Sequence, residues 1–392
     1  SNNTEAKMYP ASLTKIMTVT LMLESDKYNP DGKVAMTNEV QKLISGTGSA
    51  VSTIKVGEEI TQLDLVYTVL MSSFGDCAYL AAIYYGGSVE SFVDMMNAKA
   101  VELGLTGTHY SNPVGLHDEM TYTTVQDVYT LTKYALKNET FKTVCETPRY
   151  TIAATNMSPA RTISTTNFLQ DTTTNYYYQY AHGVKTGYTD EAGRCLVSTA
   201  SYNGYNYMCI LMNCPYNTGS RVEFTETANL YRWAFNNFSF KKVANSTDPV
   251  CEMPVELSLD TDFVSLYFEK PFITVLPNGA DDSTIVVKTK LNKESVEAPV
   301  KKGQVLGTAD IVYAEKVIGT VNLVAGNSVK ESKLLIALKY IKGFFTSAYM
   351  KIVYGIIAAA ILIFIILIIR LNFARIKKRK VKYIPYGKRK GD

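Results

Sequence analysis

Leu13, Met17 and Leu21 recur at every fourth position, the spacing of one helical face, and this predicts a helix near the start of the chain. Further helical stretches are predicted over 63–85 and 89–103. Another runs over 123–136, with Asp127 in the first turns of a capped helix. Residues 1 to about 140 read as helices, and the pattern then changes. Residues 193–200 and 205–212 are strand-like runs joined at Asn203-Gly204, a strong hairpin signal, and 223–238 is helical again. Helices first, then a hairpin and a closing helix, predict an α/β (α+β) arrangement, a sheet with helices packed on it.

A second region follows the polar stretch 245–249. Short alternating runs appear between 254 and 325 (VELSL, VSLYF, ITVL, TIVVKTKL, ADIVYA, GTVNLVA), separated by turns such as Asn278-Gly279 and Lys302-Gly303. They predict a small all-β domain. It holds no cluster of acids, histidines or glycines that would carry chemistry, so its expected task is mechanical.

Residues 352–369 are eighteen consecutive positions without a charge, roughly 27 Å as a helix and close to the thickness of a bilayer core. Such a run, apolar all round and followed by a basic block, is expected to span a membrane rather than to fill a core. The block puts the C-terminus in the cytoplasm and residues 1 to about 345 outside. Just before the span, Leu334, Leu335, Leu338, Ile341 and Phe345 share one helical face among Lys330, Lys333, Lys339 and Lys342. This segment is either a helix lying in the membrane interface or a plain continuation of the spanning helix.

Charge sharpens the picture. The net charge is +4, but ten Lys/Arg and one acid between 370 and 392 give that tail +9, which leaves the rest near −5. A body of that sign is not expected to bind nucleic acid. Cys77, Cys145, Cys195, Cys209, Cys214 and Cys251 include no CxxC. Cys77, Cys195 and Cys209 sit in apolar runs, and mostly free, buried thiols are expected. With only His109, His117 and His182, no metal site is expected, and no cofactor. The chain begins Ser1-Asn2-Asn3 without a secretory signal, so an earlier segment is expected to be missing.

Three short motifs carry candidate chemistry. Ser12-Leu13-Thr14-Lys15 puts a hydroxyl and an amine on one helical face, a turn apart, directly after Tyr9-Pro10-Ala11. A partly desolvated lysine beside another cation can lose its proton and activate the serine as a nucleophile. The spacing recurs at Ser52/Lys55 and Ser239/Lys242, where a surface serine near a lysine is the plainer explanation. Lys185-Thr186-Gly187 is the one KTG, expected on an edge strand facing the helix end, where it would grip a carboxylate. Between them lies Ser72-Ser73-Phe74-Gly75-Asp76. S-x-x-K, an S-x-N-like element and KTG, in that order, form the signature of penicillin-interacting serine enzymes.

The segment KMYPASLTKIMT (residues 7–18) resembles the active-site segment of the D-alanyl-D-alanine carboxypeptidases, the low-molecular-weight penicillin-binding proteins. SNPVGLHDEMTYTT (111–124), GVKTGYTDEAGRCLV (183–197) and PVKKGQVLGT (299–308) are similar to other segments of that family. The resemblance implies a β-lactamase/transpeptidase-like catalytic domain over 1–244 and a β domain over 250–328. A pre-membrane segment (330–348), a transmembrane helix (349–370) and a basic tail (371–392) complete the expected organisation.

It also implies roles. Ser12 is the acylated nucleophile, Lys15 its base, and Ser73 a proton relay. Lys185 supplies positive charge, Thr186 binds the terminal carboxylate, and Gly187 lets the substrate approach. The amides of Ser12 and Tyr188 form an oxyanion hole. The implied partners are a peptidoglycan pentapeptide ending in D-Ala-D-Ala, β-lactam antibiotics as inhibitors, and the membrane. Two departures stand out. The family's asparagine is replaced by Gly75, which is carried as a substrate-binding position where either water or a neighbour substitutes for the amide or activity is reduced. The family's carboxylate-binding arginine is matched only approximately by Arg221, about two residues off the register expected from Trp233. Because the family places strands before the S-x-x-K helix, an open sheet edge is expected here. A class A β-lactamase and a weakened peptidoglycan-binding scaffold are the other readings.

Overall fold

Helix α1 (Lys15–Glu24) is buried on every side: Ile16, Met17, Val19 and Met22 have no exposed surface, and Lys15, Thr18 and Thr20 are buried with them. A helix that is apolar all round must be wrapped by others. The structure, a computed structural model that describes residues 3–217 and 219–379, divides into two units, Ser1–Phe238 and Ser239–Asp392. In the first, α1 packs against α3 (Gln62–Leu70), α4 (Gly75–Gly86), α5 (Val89–Glu102), α6 (Val125–Ala135) and α7 (Glu139–Glu146). The short α2 (Asn38–Ile44) lies on α4, and β1 (Lys33–Ala35) pairs with β2 (Glu59–Thr61). Local chemistry fixes the helix starts. Thr61 and Asp64 form a reciprocal capping box on α3, while Ser88, Thr124 and Asn138 cap α5, α6 and α7.

The expected single helix over 63–85 is two helices. Apolar periodicity runs through both because α3 and α4 face one core, but Ser73 between them has φ +65° and Phe74 is extended. A left-handed, non-glycine residue ends helical propagation.

Strands β3 (Arg149–Ile152) and β4 (Arg161–Ser164) form a small ribbon. The main sheet is antiparallel, in the order β5 (Ala181–Thr189), β6 (Gly193–Tyr202), β7 (Tyr205–Cys214). The hairpin falls where the sequence placed it: Tyr202 pairs with Tyr205 around Asn203 (φ +50°) and Gly204 (φ +81°). Alternate residues of β6 serve different cores. Leu196 and Ala200 pack with Phe224, Ala228 and Tyr231 of α8 (Val222–Asn237), whereas Cys195 and Val197 join the large helical core. The sheet is thus covered on both faces. Among the described residues no strand pairs with the outer edge of β7.

The second unit begins with β8 (Phe238–Ala244), which pairs with β11 (Phe272–Pro277). Its main sheet has the order β12 (Ile285–Leu291), β14 (Val305–Tyr313), β15 (Lys316–Ala325), β10 (Phe263–Phe268), β9 (Pro249–Glu256), β13 (Val296–Glu297). Leu266, Ala309, Ile311 and Leu323 are fully buried at its centre. The expected strand VELSL is displaced: β9 starts earlier and stops at Glu256, because Leu257 has φ +66°.

Helix α9 (Lys333–Thr346) is separate from α10 (Ala348–Arg379), since Ser347 between them is extended. This disfavours the plain continuation. Leu334, Leu338, Ile341 and Phe345 on α9 are exposed. Within α10, Ala348–Ile376 is long and apolar enough to cross a bilayer, with none of its apolar window buried. The basic tail expected over 371–392 extends past Arg379, and that remainder lies outside the described residues. All six cysteines are free; Cys77, Cys145, Cys195 and Cys209 are buried.

Because α1 anchors the first unit, Met17→Ala is expected to destabilise it by about 2–5 kcal/mol. Urea unfolding followed by the near-ultraviolet signal measures this. A loss under about 1 kcal/mol would show that the packing around α1 is loose.

Candidate active site

The chain enters the site along a pinned segment: Met8 and Thr123 exchange backbone hydrogen bonds of 2.8 Å in both directions. Pro10 then leads into a 3-10 turn, Ala11–Thr14, with Ala11 at φ +47°. Ser12 sits in this turn rather than in the α-helix proper, and Lys15 is the first residue of α1. The Lys15 amine donates to Ser12 Oγ at 3.0 Å and to the Val114 carbonyl at 2.7 Å.

Val114 is held by its own loop. Asn112 Oδ1 accepts from the amides of Val114, Gly115 and Leu116, and Thr18 Oγ1 of α1 donates to the Pro113 carbonyl. Gly115 has φ +83°, and a Cβ there would stand 1.9 Å from the Ala11 carbonyl oxygen. Only glycine lets the loop close onto the serine turn.

Lys15 is completely buried, and its pKa is lowered to about 7, chiefly because burial strips the ammonium of water. The negative charge of Asp76 acts in the opposite direction and limits the fall. Asp76 is itself fully buried. Both its oxygens accept from the Ser52 amide at 3.0 Å, and one accepts from the Ser52 hydroxyl at 2.6 Å. Lys185 on β5 is buried too and donates to the Thr186 carbonyl at 3.0 Å. Burial, and then the charge of Lys15, push its pKa well down. An amine near pKa 7, one hydrogen bond from a serine hydroxyl, is equipped to take that proton at neutral pH.

Ser12 opens on a groove of about 630 Å³, lined also by Ser73, Thr186, Gly187, Tyr188 and Arg221 among others. Lys15 and Lys185 are not among the residues that line it. Strand β5 is an edge of its sheet and lies against the serine turn. A Cβ on Gly187 would come to 3.1 Å from the Ser12 amide nitrogen. Thr186 shares a 2.6 Å hydroxyl–hydroxyl hydrogen bond with Thr166, which also lines the groove. Arg221, at the N-cap of α8, reaches the groove despite its shifted register. Its Nε donates to Glu223 at 2.6 Å, and its guanidinium lies 4.8 Å from the ring centroids of Phe168 and Phe224. The half-exposed Tyr188 donates its hydroxyl to Asp190 at 2.5 Å.

One candidate is corrected. Gly75 is buried and does not line the groove; the residue in front of it is Ser49. The other two S-x-x-K matches do not reproduce the Ser12–Lys15 pair. The Ser52 hydroxyl is bound to Asp76, and Ser239 and Lys242 lie on strand β8 of the second unit. Sequence reasoning missed Val114, Asn112, Asp76 and Thr166. Val114 acts through a backbone carbonyl 99 residues from Lys15, which leaves no side-chain signal. The resemblance of residues 111–124 to a family segment marked its loop, but gave no role to Val114 or Asn112. Among the described residues no group of three or more His, Cys, Asp or Glu is placed to hold a metal ion.

Comparison with known proteins agrees with this geometry. Residues 1–215 match the family model described as D-alanyl-D-alanine carboxypeptidase, and residues 239–331 match the C-terminal domain of penicillin-binding protein 5. The chain is 27% identical to the D-alanyl-D-alanine carboxypeptidase DacF of Bacillus subtilis, over 88% of this chain and 86% of that one. It is 34% identical to the D-alanyl-D-alanine carboxypeptidase of Streptomyces sp. strain K15, over 49% of this chain and 68% of that one. Among solved structures it is similar to penicillin binding protein 5 from Haemophilus influenzae. There the TM-score is 0.63 and the identity 26%, covering 84% of this chain and 92% of that one. With more than half of its length matched by the family model and a buried amine set against a serine in the groove, the chain belongs to the D-alanyl-D-alanine carboxypeptidase family of serine peptidases.

Proposed function

We propose that the protein removes the terminal D-alanine from peptidoglycan stem peptides ending in D-Ala-D-Ala, through an acyl-enzyme on Ser12. The observation that carries this reading is the 3.0 Å contact between Ser12 Oγ and a buried Lys15 amine whose pKa lies near 7. Lys15 takes the hydroxyl proton as Oγ attacks the carbonyl carbon of the scissile peptide bond. The amides of Ser12 and Tyr188 hold the oxyanion of the tetrahedral intermediate. Collapse breaks the C–N bond, and the proton passes from Lys15, with Ser73 as relay, to the departing amine of D-alanine. Water then attacks the ester carbonyl, giving the shortened peptide acid and free Ser12. Thr186 and Arg221 receive the substrate's terminal carboxylate, whose negative charge favours the protonated form of the otherwise depressed Lys185 amine behind it, and Gly187 leaves room beside the serine turn. β-Lactams acylate the same serine and persist there.

The catalytic domain, 1–244 in this reading, works outside the cell. The β domain (250–328) carries it, and 349–370 span the membrane with the basic segment 371–392 in the cytoplasm. The exposed apolar face of α9 and the charge-free run of α10 support anchoring, and the lysines and arginines after the run support the orientation.

Incubation with labelled penicillin is expected to give a stable adduct on the wild type and none on Ser12→Ala. An undiminished adduct in the variant would end the assignment of the nucleophile. The acylation rate should rise with pH through about 7 and then level off, because only unprotonated Lys15 accepts the proton. A rate that falls over that interval, or rises only toward the ordinary lysine value near ~10.4, would contradict the role of Lys15.

A further inference from the structure

Residues 47–50 form one wall of the groove, and the Gly75 amide donates to the Ala50 carbonyl at 2.8 Å. The first residue of α4 therefore hangs on this wall. A Cβ at position 75 would stand 2.3 Å from Ser49 Oγ, 2.9 Å from Ile44 Cδ1 and 3.1 Å from Ser49 Cβ. A separation of 2.3 Å is far inside contact distance, so a side chain at 75 and the Ser49 hydroxyl compete for one volume. Ser49 holds it. Ser49 is among the residues that line the same groove as Ser12 and Ser73, and its hydroxyl's hydrogen bond to the neighbouring Ala50 carbonyl is 3.5 Å long. A bond of that length is at the outer limit and is readily exchanged for a better acceptor.

We propose that Ser49 is a further substrate-binding residue, standing in for the polar side chain that position 75 lacks. Its hydroxyl donates to a backbone carbonyl of the bound peptide and holds the chain against β5 while Ser12 attacks. No bond is made or broken by Ser49; its contribution is recognition. The proposal rests on the carboxypeptidase reading above. It makes Gly75 part of an exchange: the glycine exists because Ser49 needs the space.

The exchange is testable in the full-length protein with a Lys-D-Ala-D-Ala peptide. Ser49→Ala should lower kcat/KM about tenfold, mostly through KM, with an unchanged melting temperature. Gly75→Asn alone should lose at least as much, because the new side chain displaces Ser49. Combining Ser49→Gly with Gly75→Asn should bring kcat/KM back to within about threefold of the wild type, the non-additivity of two groups contesting one place. Wild-type kcat/KM in Ser49→Ala or in Gly75→Asn overturns the proposal, as does a double variant no better than Gly75→Asn. Labelled penicillin is run on the wild type alongside. A missing Ser12 adduct there would overturn the carboxypeptidase reading itself, whereas a normal adduct with a kinetically silent Ser49→Ala would overturn only the role of Ser49.

Discussion

The site depends on an amine kept out of water. Lys15 lies at the first position of a helix whose residues 15–22 are all buried, and its Nζ donates to the Ser12 hydroxyl and the Val114 carbonyl. In water a lysine is a cation and no base at neutral pH. Packed by Ile16, Met17 and the residues around α1, it loses hydration and becomes one. Asp76 sets the limit of that effect. Without a nearby negative charge the amine would fall further; with a direct ion pair it would stay protonated. Asp76 spends its hydrogen-bonding capacity on Ser52, so its influence on Lys15 is a field rather than a contact.

Much of this was legible in the chain and some was not, for identifiable reasons. The hairpin at Asn203-Gly204, helix α8 and the order of the three motifs follow from local patterns that tertiary packing does not override. The break between α3 and α4 was hidden, because Val66, Val69 and Leu70 on one side and Cys77, Ala78 and Ala81 on the other bury into one core. An apolar period cannot reveal a left-handed serine in its middle. Arg221 reached the groove although it stands about two residues off the expected register, since the position of a side chain at a helix start is set by the preceding turn.

Gly75 left two readings open: a neighbour or water filling in for the missing amide, or reduced activity. The structure places the Ser49 hydroxyl where a side chain at position 75 would go. Likewise Gly115 and Gly187 each mark a place where two backbone segments must touch: the Val114 loop on Ala11, and β5 on the serine turn. These close approaches bring Ser12 and Thr186, 174 residues apart (186 − 12), to one groove, with Lys15 buried behind Ser12. Among the described residues the second unit offers no comparable convergence. Its sheet is built on a conventional apolar core, and its chemistry is confined to the exposed apolar and basic surfaces of its last helices.

The most direct measurement is a nuclear magnetic resonance titration of the Lys15 side-chain amine, assigned by comparison with Lys15→Arg. Loss of the proton at about pH 7 is the predicted result. An amine that remains protonated to about pH 10, as an ordinary lysine does, would contradict the role of Lys15 as the base that activates Ser12.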